Sequence, residues 1–282
     1  MRVRKQSESS ISSLAMDKRL PIAFLDSGIG GLPYLASTRS LLPDERYVYA
    51  VDRENFPYGE KTADQVIQVI SGLTRRMIER EHPRLVVVAC NTASVVALNV
   101  LRETFPLPFV GVVPAVKPAA ALSQRRRVGV LATRGTVEGQ YLRSLIRDHA
   151  AGCTVVSLPA AGLVEFVEQD MESSTPEQKT ARVQAEVDRF RDAGIDALVL
   201  GCTHFLHLEP EFRHLLSEEG IALVDSREGV ARQVQRLLND GDGSLASITR
   251  EPDALYITGA SPIEDRYRYF AKQFGLHLAG TV

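Results

Sequence analysis

The sequence has no tryptophan, few cysteines and almost no surplus of either charge. Its three cysteines include no Cys-x-x-Cys pair and cannot form a disulfide framework, which is typical of a protein of the reducing cytoplasm. With 33 basic and 35 acidic residues, the formal net charge is -2. No basic surplus is available to bind a phosphate backbone, so we do not expect nucleic acid as the main partner.

Long apolar runs are also lacking. The N-terminal sequence is basic but contains no continuous apolar segment of the kind that a signal peptide requires. The longest uncharged stretch, residues 85–101, contains Asn91, Thr92, Ser94 and Asn99, so it does not predict a membrane span. We therefore expect neither secretion nor a membrane partner.

What remains is an ordinary globular composition, with 44% hydrophobic and 24% charged residues in a chain of 282. At about 150 residues per domain, this length predicts two domains. Residues 1–20 are rich in serine, arginine and lysine, and we expect them to form a mobile N-terminal tail.

Short apolar runs then alternate with helical patterns. They predict strands at residues 22–25, 47–51, 85–89, 109–113, 128–131, 155–158, 197–200, 222–224 and 254–258, with a late helix around 263–274. Several runs are continuous rather than alternating, which favours strands buried on both faces of a parallel sheet. Capping boxes and terminal glycines mark the helices between them: Thr62-x-x-Gln65, Thr175-Pro176-x-Gln178, Gly194 and Gly220. The predicted fold class is therefore α/β.

A weak internal repeat divides the chain. Residues 22–27 resemble residues 128–133, and residues 85–92 resemble residues 196–203. The repeat predicts two similar α/β halves. It also puts Cys90 and Cys202 in equivalent places, each after a buried strand and at the start of the next helix.

Polar residues follow four of the predicted strands, where open α/β sheets bind their ligands. The four segments are Asp26-Ser27-Gly28-Ile29-Gly30-Gly31, Cys90-Asn91-Thr92, Thr133-Arg134-Gly135-Thr136 and Cys202-Thr203-His204. If the halves face each other, all four segments line one cleft. The glycine run lacks both the Gly-x-Gly-x-x-Gly spacing and a following Lys-Ser/Thr, so a nucleotide site is not favoured.

The two equivalent cysteines indicate a chemistry. Helix N-termini stabilise thiolates, and a pair of thiols can remove a carbon-bound proton from one face and return it to the other. His204 could act as an acid/base partner of Cys202. A metal site at Cys202, His204 and His207 is not favoured because no fourth ligand is evident. A cysteine hydrolase, which would need one thiol only, stays open at this point.

Six motifs, in order, then show a resemblance to the glutamate racemases of the aspartate/glutamate racemase superfamily, from about residue 21 to residue 239. They are Leu25-Asp26-Ser27-Gly28-x-Gly30-Gly31-Leu32, Pro57-Tyr58-Gly59, Ala89-Cys90-Asn91-Thr92-Ala93-Ser94, Gly135-Thr136, Leu200-Gly201-Cys202-Thr203-His204 and Asp225-Ser226. The resemblance implies two similar doubly wound α/β domains with parallel-sheet cores and an active site in the cleft between them. The first would comprise residues 21–113 and 227–282, and the second, inserted, residues 114–226.

The resemblance also implies a reaction, the cofactor-independent interconversion of L- and D-glutamate, which supplies peptidoglycan synthesis. Cys202 would take the α-proton of L-glutamate and Cys90 that of D-glutamate. Asp26 would assist Cys90, and His204 would assist Cys202. No metal is implied.

Substrate contacts carried over by the resemblance are Ser27, Pro57, Tyr58, Gly59, Asn91, Thr92, Thr136 and Thr203, with Glu165 as a loosely aligned acidic residue near the site. Two departures affect this alignment. Ala160-Ala161 stands where the family often has Cys-Pro, and Phe205-Leu206-His207-Leu208 where it commonly has Tyr-Pro-Leu-Leu.

Other functions remain open at this stage. An aspartate racemase or a related acidic amino-acid racemase would use the same thiol pair, and pocket length alone would distinguish it. A non-catalytic two-domain binding protein for an acidic metabolite would have similar halves but no need of two cysteines. The resemblance also allows a homodimer, since family members dimerise in more than one way.

Overall fold

The chain forms two compact α/β units. The computed structural model describes residues 20–239, 251–260 and 262–282, so residues 1–19 of the predicted tail lie outside the described residues. One unit runs to Val112 and resumes at Arg227, and the other runs from Val113 to Ser226. Within the described part of the chain, none of the helices combines the length and apolar character needed to cross a membrane.

A six-stranded parallel sheet lies at the centre of the first unit. Its strands are β1 (Ile22–Asp26), β2 (Tyr47–Val51), β3 (Leu85–Val88), β4 (Phe109–Gly111), β9 (Ala254–Ile257) and β10 (His277–Thr281). They lie in the order β10-β9-β2-β1-β3-β4, and all neighbours pair in parallel. Every residue of β1, β2 and β3 is buried, which explains their uninterrupted apolar sequences.

A four-stranded parallel sheet lies at the centre of the second unit. Its strands are β5 (Arg127–Ala132), β6 (Thr154–Pro159), β7 (Ala197–Leu200) and β8 (Ala222–Val224), in the order β6-β5-β7-β8. This order reproduces β2-β1-β3-β4 of the first sheet. Pairing also corresponds, since Leu25 lies opposite Val88 in one sheet and Leu131 opposite Leu200 in the other. The predicted repeat of two similar α/β halves is thereby confirmed.

Helices connect the strands as crossover segments. They are α1 (Leu32–Leu41), α2 (Ala63–Glu81), α3 (Asn91–Thr104), α4 (Val116–Leu122), α5 (Arg134–Glu138), α6 (Gln140–His149), α7 (Ala161–Glu165), α8 (Pro176–Arg191), α9 (Glu209–Glu218), α10 (Arg227–Asn239) and α11 (Asp265–Gln273). Short 3-10 helices cover Arg53–Asn55, Tyr58–Glu60 and Thr203–Leu208, and a π-helical turn covers Phe166–Asp170.

The predicted helix ends are confirmed in detail. Both capping boxes form, with Thr62 capping α2 and Thr175 capping α8 through reciprocal bonds with the glutamine three residues later. Gly194 and Gly220 follow α8 and α9 with φ values of +60° and +65°, a conformation that favours glycine after a helix.

Apolar residues at helical spacing hold α2 and α3 against the first sheet. The buried positions are Val66, Ile70, Leu73 and Met77 on α2, and Ala93, Ala97 and Leu101 on α3. Their spacing of three and four residues aligns them along one stripe of each helix. Fixing α3 on the sheet also fixes the start of this helix, directly after Cys90.

The sequence patterns did not predict one strand, and they predicted two other elements longer than they are. Strand β10 was not predicted, because it is a partly exposed edge strand that begins at a histidine and contains a glycine with φ of +104°. Strand β4 ends at Gly111 rather than at residue 113, and the late helix covers Asp265–Gln273 rather than 263–274.

The order of each sheet indicates where a ligand binds. Strand order changes direction next to β1 in the first sheet and next to β5 in the second. In open α/β sheets, the chain diverges at such points beyond the carboxyl ends of the strands and leaves room for a ligand. The four polar segments singled out in the sequence follow β1, β3, β5 and β7, which flank these two points.

Candidate active site

Cys90 and Cys202 occupy matching positions in the two units. Each lies two residues after a central strand, β3 or β7, and is the N-cap residue of the following helix. Their backbone angles are nearly the same, with φ/ψ of -129°/124° at Cys90 and -135°/136° at Cys202. Neither thiol forms a disulfide, and both side chains are mostly buried, with 7% and 6% of the residue surface exposed.

A histidine and a carboxylate line up behind Cys202. Its Sγ lies 3.9 Å from Nδ1 of His204, and Nε2 of the same ring lies 2.8 Å from Oε1 of Glu168. His204 and Glu168 are each only 3% exposed. The imidazole is therefore held at both nitrogens, between a thiol and a carboxylate.

The charge of His204 follows from this position. Burial by itself lowers the pKa of a histidine, but the hydrogen bonds to Cys202 and Glu168, together with their charges, raise the pKa of His204 well above its usual 6.5. This environment favours the imidazolium form of the ring.

The acidic residue beside this histidine is Glu168 and not Glu165. Glu165 is exposed at the end of α7, whereas Glu168 lies in the π-helical turn Phe166–Asp170 and is buried. Val164 and Val167 are buried, and Glu168 falls on their face of the helix. The sequence alone does not show which face of this short segment is buried. Glu165, which the resemblance placed loosely near the site, is thus exposed, and Glu168 is the acidic residue bonded to His204.

Asp26 organises the glycine loop after β1. Its carboxylate accepts hydrogen bonds from the backbone N–H groups of Ser27, at 2.6 Å, and Gly31, at 2.7 Å. The hydroxyl of Tyr49 donates to the same carboxylate at 3.1 Å. Asp26 is fully buried, at the end of a strand adjacent to the one that leads to Cys90. The aspartate and this cysteine therefore belong to the same edge of the first sheet.

Asn91 has a buried amide without a hydrogen-bond partner. Neither its Nδ2 nor its Oδ1 is bonded within the described residues, although only 4% of Asn91 is exposed. A buried unsatisfied amide is costly and typical of a group reserved for a ligand. Its neighbour Thr92 is half-buried in the first turn of α3, and Ser27 is buried after β1.

The hydroxyl of Tyr58 is committed to the protein. It donates to Asp52 at 2.6 Å, and Asp52 also accepts from Asn55 and from Thr258. Burial and the Asp52 carboxylate raise the pKa of Tyr58 far above its usual range, so its hydroxyl stays protonated. The half-buried Pro57 and Gly59 flank it, and Pro57 follows a cis peptide bond.

Three threonines follow strands of the second sheet. The hydroxyls of Thr133 and Thr136 lie 3.1 Å apart after β5, and Thr203 is buried directly after Cys202. Both Thr136 and Thr203 therefore lie beyond the carboxyl ends of strands that pair with each other. In the described ranges, no group of three or more His, Cys, Asp or Glu side chains is arranged to hold a metal ion.

The sequence analysis did not identify three residues that bond to the predicted site residues: Glu168, Asp52 and Tyr49. Asp52 could have been found, because it directly follows a buried strand, whereas Asp26 is the last residue of one. Tyr49 gave no signal, since it reads as one more apolar residue of β2 and its hydroxyl partner lies on a different segment.

Comparisons with known proteins show which family the chain resembles. The family model for Asp/Glu/Hydantoin racemase matches residues 34–234. Glutamate racemase of Shewanella sp. (strain MR-7) is 44% identical over 218 residues, which cover 77% of this chain and 79% of the relative. That of Treponema pallidum (strain Nichols) is 40% identical over 263 residues, 92% of this chain and 95% of the relative. Escherichia coli glutamate racemase, solved with L-glutamate and the activator UDP-MurNAc-ala, superposes with a TM-score of 0.84 at 35% identity, covering 93% of this chain and 98% of that one.

Proposed function

The chain belongs to the Asp/Glu/Hydantoin racemase family and is an amino-acid racemase, and from this premise we propose that it interconverts L- and D-glutamate with two thiols as its bases. One observation carries the proposal. Cys90 and Cys202 cap corresponding helices in two units of the same topology, and each follows a central strand of its sheet. Two equivalent thiols suit a reaction whose two directions are chemically equivalent.

The proposed reaction moves one proton in and one proton out. The thiolate of Cys202 takes the α-proton of L-glutamate and becomes a thiol, leaving a carbanion at Cα. The thiol of Cys90 gives its proton to the opposite face of that carbon, forming D-glutamate and a Cys90 thiolate. In the reverse direction the roles exchange. No electron is gained or lost, so the step needs no redox cofactor.

On one side, the proposal uses the chain of contacts Cys202–His204–Glu168. A protonated imidazole donates through both nitrogens, to the carboxylate at 2.8 Å and toward the sulfur at 3.9 Å. Glu168 keeps this ring charged, and the charged ring favours the thiolate that starts the L-to-D direction.

On the other side, the proposal uses Asp26 and the start of α3. Cys90 caps this 14-residue helix, where unpaired backbone N–H groups and the helix dipole stabilise a thiolate. Asp26 lies at the end of the adjacent strand and assists Cys90, the base for D-glutamate, by taking or returning a proton.

Substrate contacts are proposed for the polar groups around the thiols. The unpartnered amide of Asn91 offers a donor and an acceptor. The hydroxyls of Ser27, Thr92, Thr136 and Thr203, together with the segment Pro57, Tyr58 and Gly59, complete the set of polar contacts. Glutamate is preferred to aspartate as the substrate because the relatives at 40–44% identity are glutamate racemases.

The decisive experiment incubates the protein with L-glutamate in heavy water without added cofactor, and follows optical activity and deuterium at Cα together. Cys90→Ala and Cys202→Ala are compared with Cys153→Ala, which removes the remaining, half-buried thiol. We expect loss of optical activity with incorporation of deuterium in the wild type and in Cys153→Ala, and no racemisation in the other two variants.

Other outcomes would redirect the proposal. Racemisation of aspartate but not of glutamate would keep the two thiols and change the substrate. A hydrolase would retain activity without one of them. Absence of exchange with either amino acid would leave a binding protein as the better account.

The product sets the proposed cellular role. D-Glutamate is a building block of peptidoglycan, and we propose that the enzyme supplies it in the cytoplasm. A strain that lacks the gene should then require added D-glutamate for growth.

A further inference from the structure

We propose that Tyr49 is a positioning residue that holds the carboxylate of Asp26 for its action on Cys90; this inference rests on the proposed function. Tyr49 lies in β2, fully buried, and its Cα is in register with Phe24 of β1. Its hydroxyl reaches past the end of β1 into the glycine loop. There it lies 3.1 Å from Oδ2 of Asp26.

The hydroxyl occupies the middle of the loop. It lies 3.0 Å from the carbonyl oxygen of Gly28 and accepts from the N–H of Gly31 at 3.0 Å. Among the donors to Asp26, Ser27 and Gly31 belong to the loop itself, whereas Tyr49 comes from a neighbouring strand. Tyr49 therefore anchors both the carboxylate and its loop to the rigid sheet.

The glycine loop packs tightly against this hydroxyl. A Cβ at position 31 would lie 2.9 Å from the Tyr49 hydroxyl and 2.5 Å from the Cβ of Ala89. Only glycine allows the loop to pass between the hydroxyl and the residue that precedes Cys90. The loop is thus held between Tyr49 on one side and the Ala89-Cys90 turn on the other.

A tyrosine also suits the changing charge of the proposed reaction. Its hydroxyl has one proton and faces two acceptors, the Asp26 carboxylate and the Gly28 carbonyl. The proton can turn to Asp26 when negative charge collects there and to Gly28 when it does not. Phenylalanine would fill the same space without this response.

Loss of the Tyr49 hydroxyl should affect only the half of the reaction in which Cys90 transfers the proton. Asp26 assists Cys90, so loss of the hydroxyl should slow the proton transfers made by Cys90 and leave those of Cys202 intact. Because enantiomers have equal free energies, kcat/KM must fall equally in both directions. The selective readout is therefore the deuterium isotope effect at Cα, measured separately for each enantiomer.

The test compares Tyr49→Phe with Tyr47→Phe. Tyr47 is an equally buried tyrosine of the same strand, but its hydroxyl donates to the carbonyl of Leu42, away from Asp26. For Tyr49→Phe we expect kcat/KM about tenfold lower, as for loss of one hydrogen bond to a charged group. The isotope effect should rise with D-[2-²H]glutamate and fall toward one with L-[2-²H]glutamate. Tyr47→Phe should change neither isotope effect.

Equal isotope effects for the two enantiomers, or the same changes in Tyr47→Phe, would overturn the inference. If Tyr49→Phe does not fold, 3-fluorotyrosine at position 49 retains the hydroxyl and changes its acidity, and the isotope effect with D-glutamate alone should move. No movement there would also overturn it. A wild-type protein that fails to racemise glutamate would instead refute the proposed function.

Discussion

Replacing Glu168 by glutamine tests the charge of His204 most directly. The variant keeps the size of the side chain and an oxygen for the bond to Nε2, but it removes the negative charge 2.8 Å from the ring. Both residues are 3% exposed, so water screens little of this interaction. A hydrogen bond to a charged group contributes about 1.5–3 kcal/mol. We therefore expect kcat/KM to fall roughly 10- to 100-fold, at about 1.4 kcal/mol per factor of ten.

The same variant should alter the pH profile in a defined direction. The wild-type profile should be bell-shaped, because one thiolate, one thiol and the His204 imidazolium must coexist. Glu168 raises the pKa of His204, so without it the imidazolium loses its proton at lower pH. The alkaline limb of kcat/KM should move to lower pH in Glu168→Gln, as measured by circular dichroism with L-glutamate between pH 6 and 10.

The free energy of unfolding should depend on pH in the same direction. Because the pKa of His204 is raised in the folded state, the stability from its pairing is complete below the ordinary histidine value and is lost as the pH rises through the raised pKa. Urea unfolding should show this loss beginning at lower pH in Glu168→Gln.

The matched control is Glu165→Gln, which removes an exposed carboxylate three residues earlier. It should leave both the rate and the pH profile unchanged. An alkaline limb that stays in place in Glu168→Gln, or that moves equally in Glu165→Gln, would refute the assignment of Glu168 as the group that charges His204.

Three further variants test the first unit. In Gly31→Ala the new Cβ would lie 2.5 Å from the Cβ of Ala89, and we expect the free energy of unfolding in urea to fall by about 1–3 kcal/mol. Gly72→Ala, in open space within α2, should raise the same free energy by up to about 1 kcal/mol. An unchanged stability of Gly31→Ala would contradict the close fit of the loop. Asn91→Ala removes an unsatisfied buried amide, so it should raise KM for glutamate about tenfold without lowering the urea midpoint. A destabilised Asn91→Ala with normal KM would show that the amide has a structural role.

Strand positions and the matching places of Cys90 and Cys202 could be predicted because their signals are local. Continuous apolar runs set β1, β3, β5 and β7, and a reactive residue after each run is visible in the sequence itself. The repeat strengthened the assignment of Cys90 and Cys202, because it predicted that two distant thiols are equivalent before any contact was known.

What could not be predicted depends on partners that are distant in sequence. Glu168 reaches His204 across 36 positions, and Tyr49 reaches Asp26 across 23. The choice between Glu165 and Glu168 depends on which face of a short helical segment is buried, and a π-helical turn there changes the usual period. Strand β10 could not be recognised because an edge strand needs no continuous apolar run.

The discontinuous first unit has a consequence for how the protein is made. Strand β2 pairs with β1 on one edge and with β9 on the other, yet β9 comes near the end of the chain. During translation, the edge of β2, with sequence Tyr-Val-Tyr-Ala-Val, stays open while the whole second unit emerges from the ribosome. An open edge of such residues is prone to pair with other chains. The second unit, from Val113 to Ser226, can complete its sheet first, and the enzyme's vulnerability to aggregation is therefore greatest in the interval before residues 254–257 are synthesised.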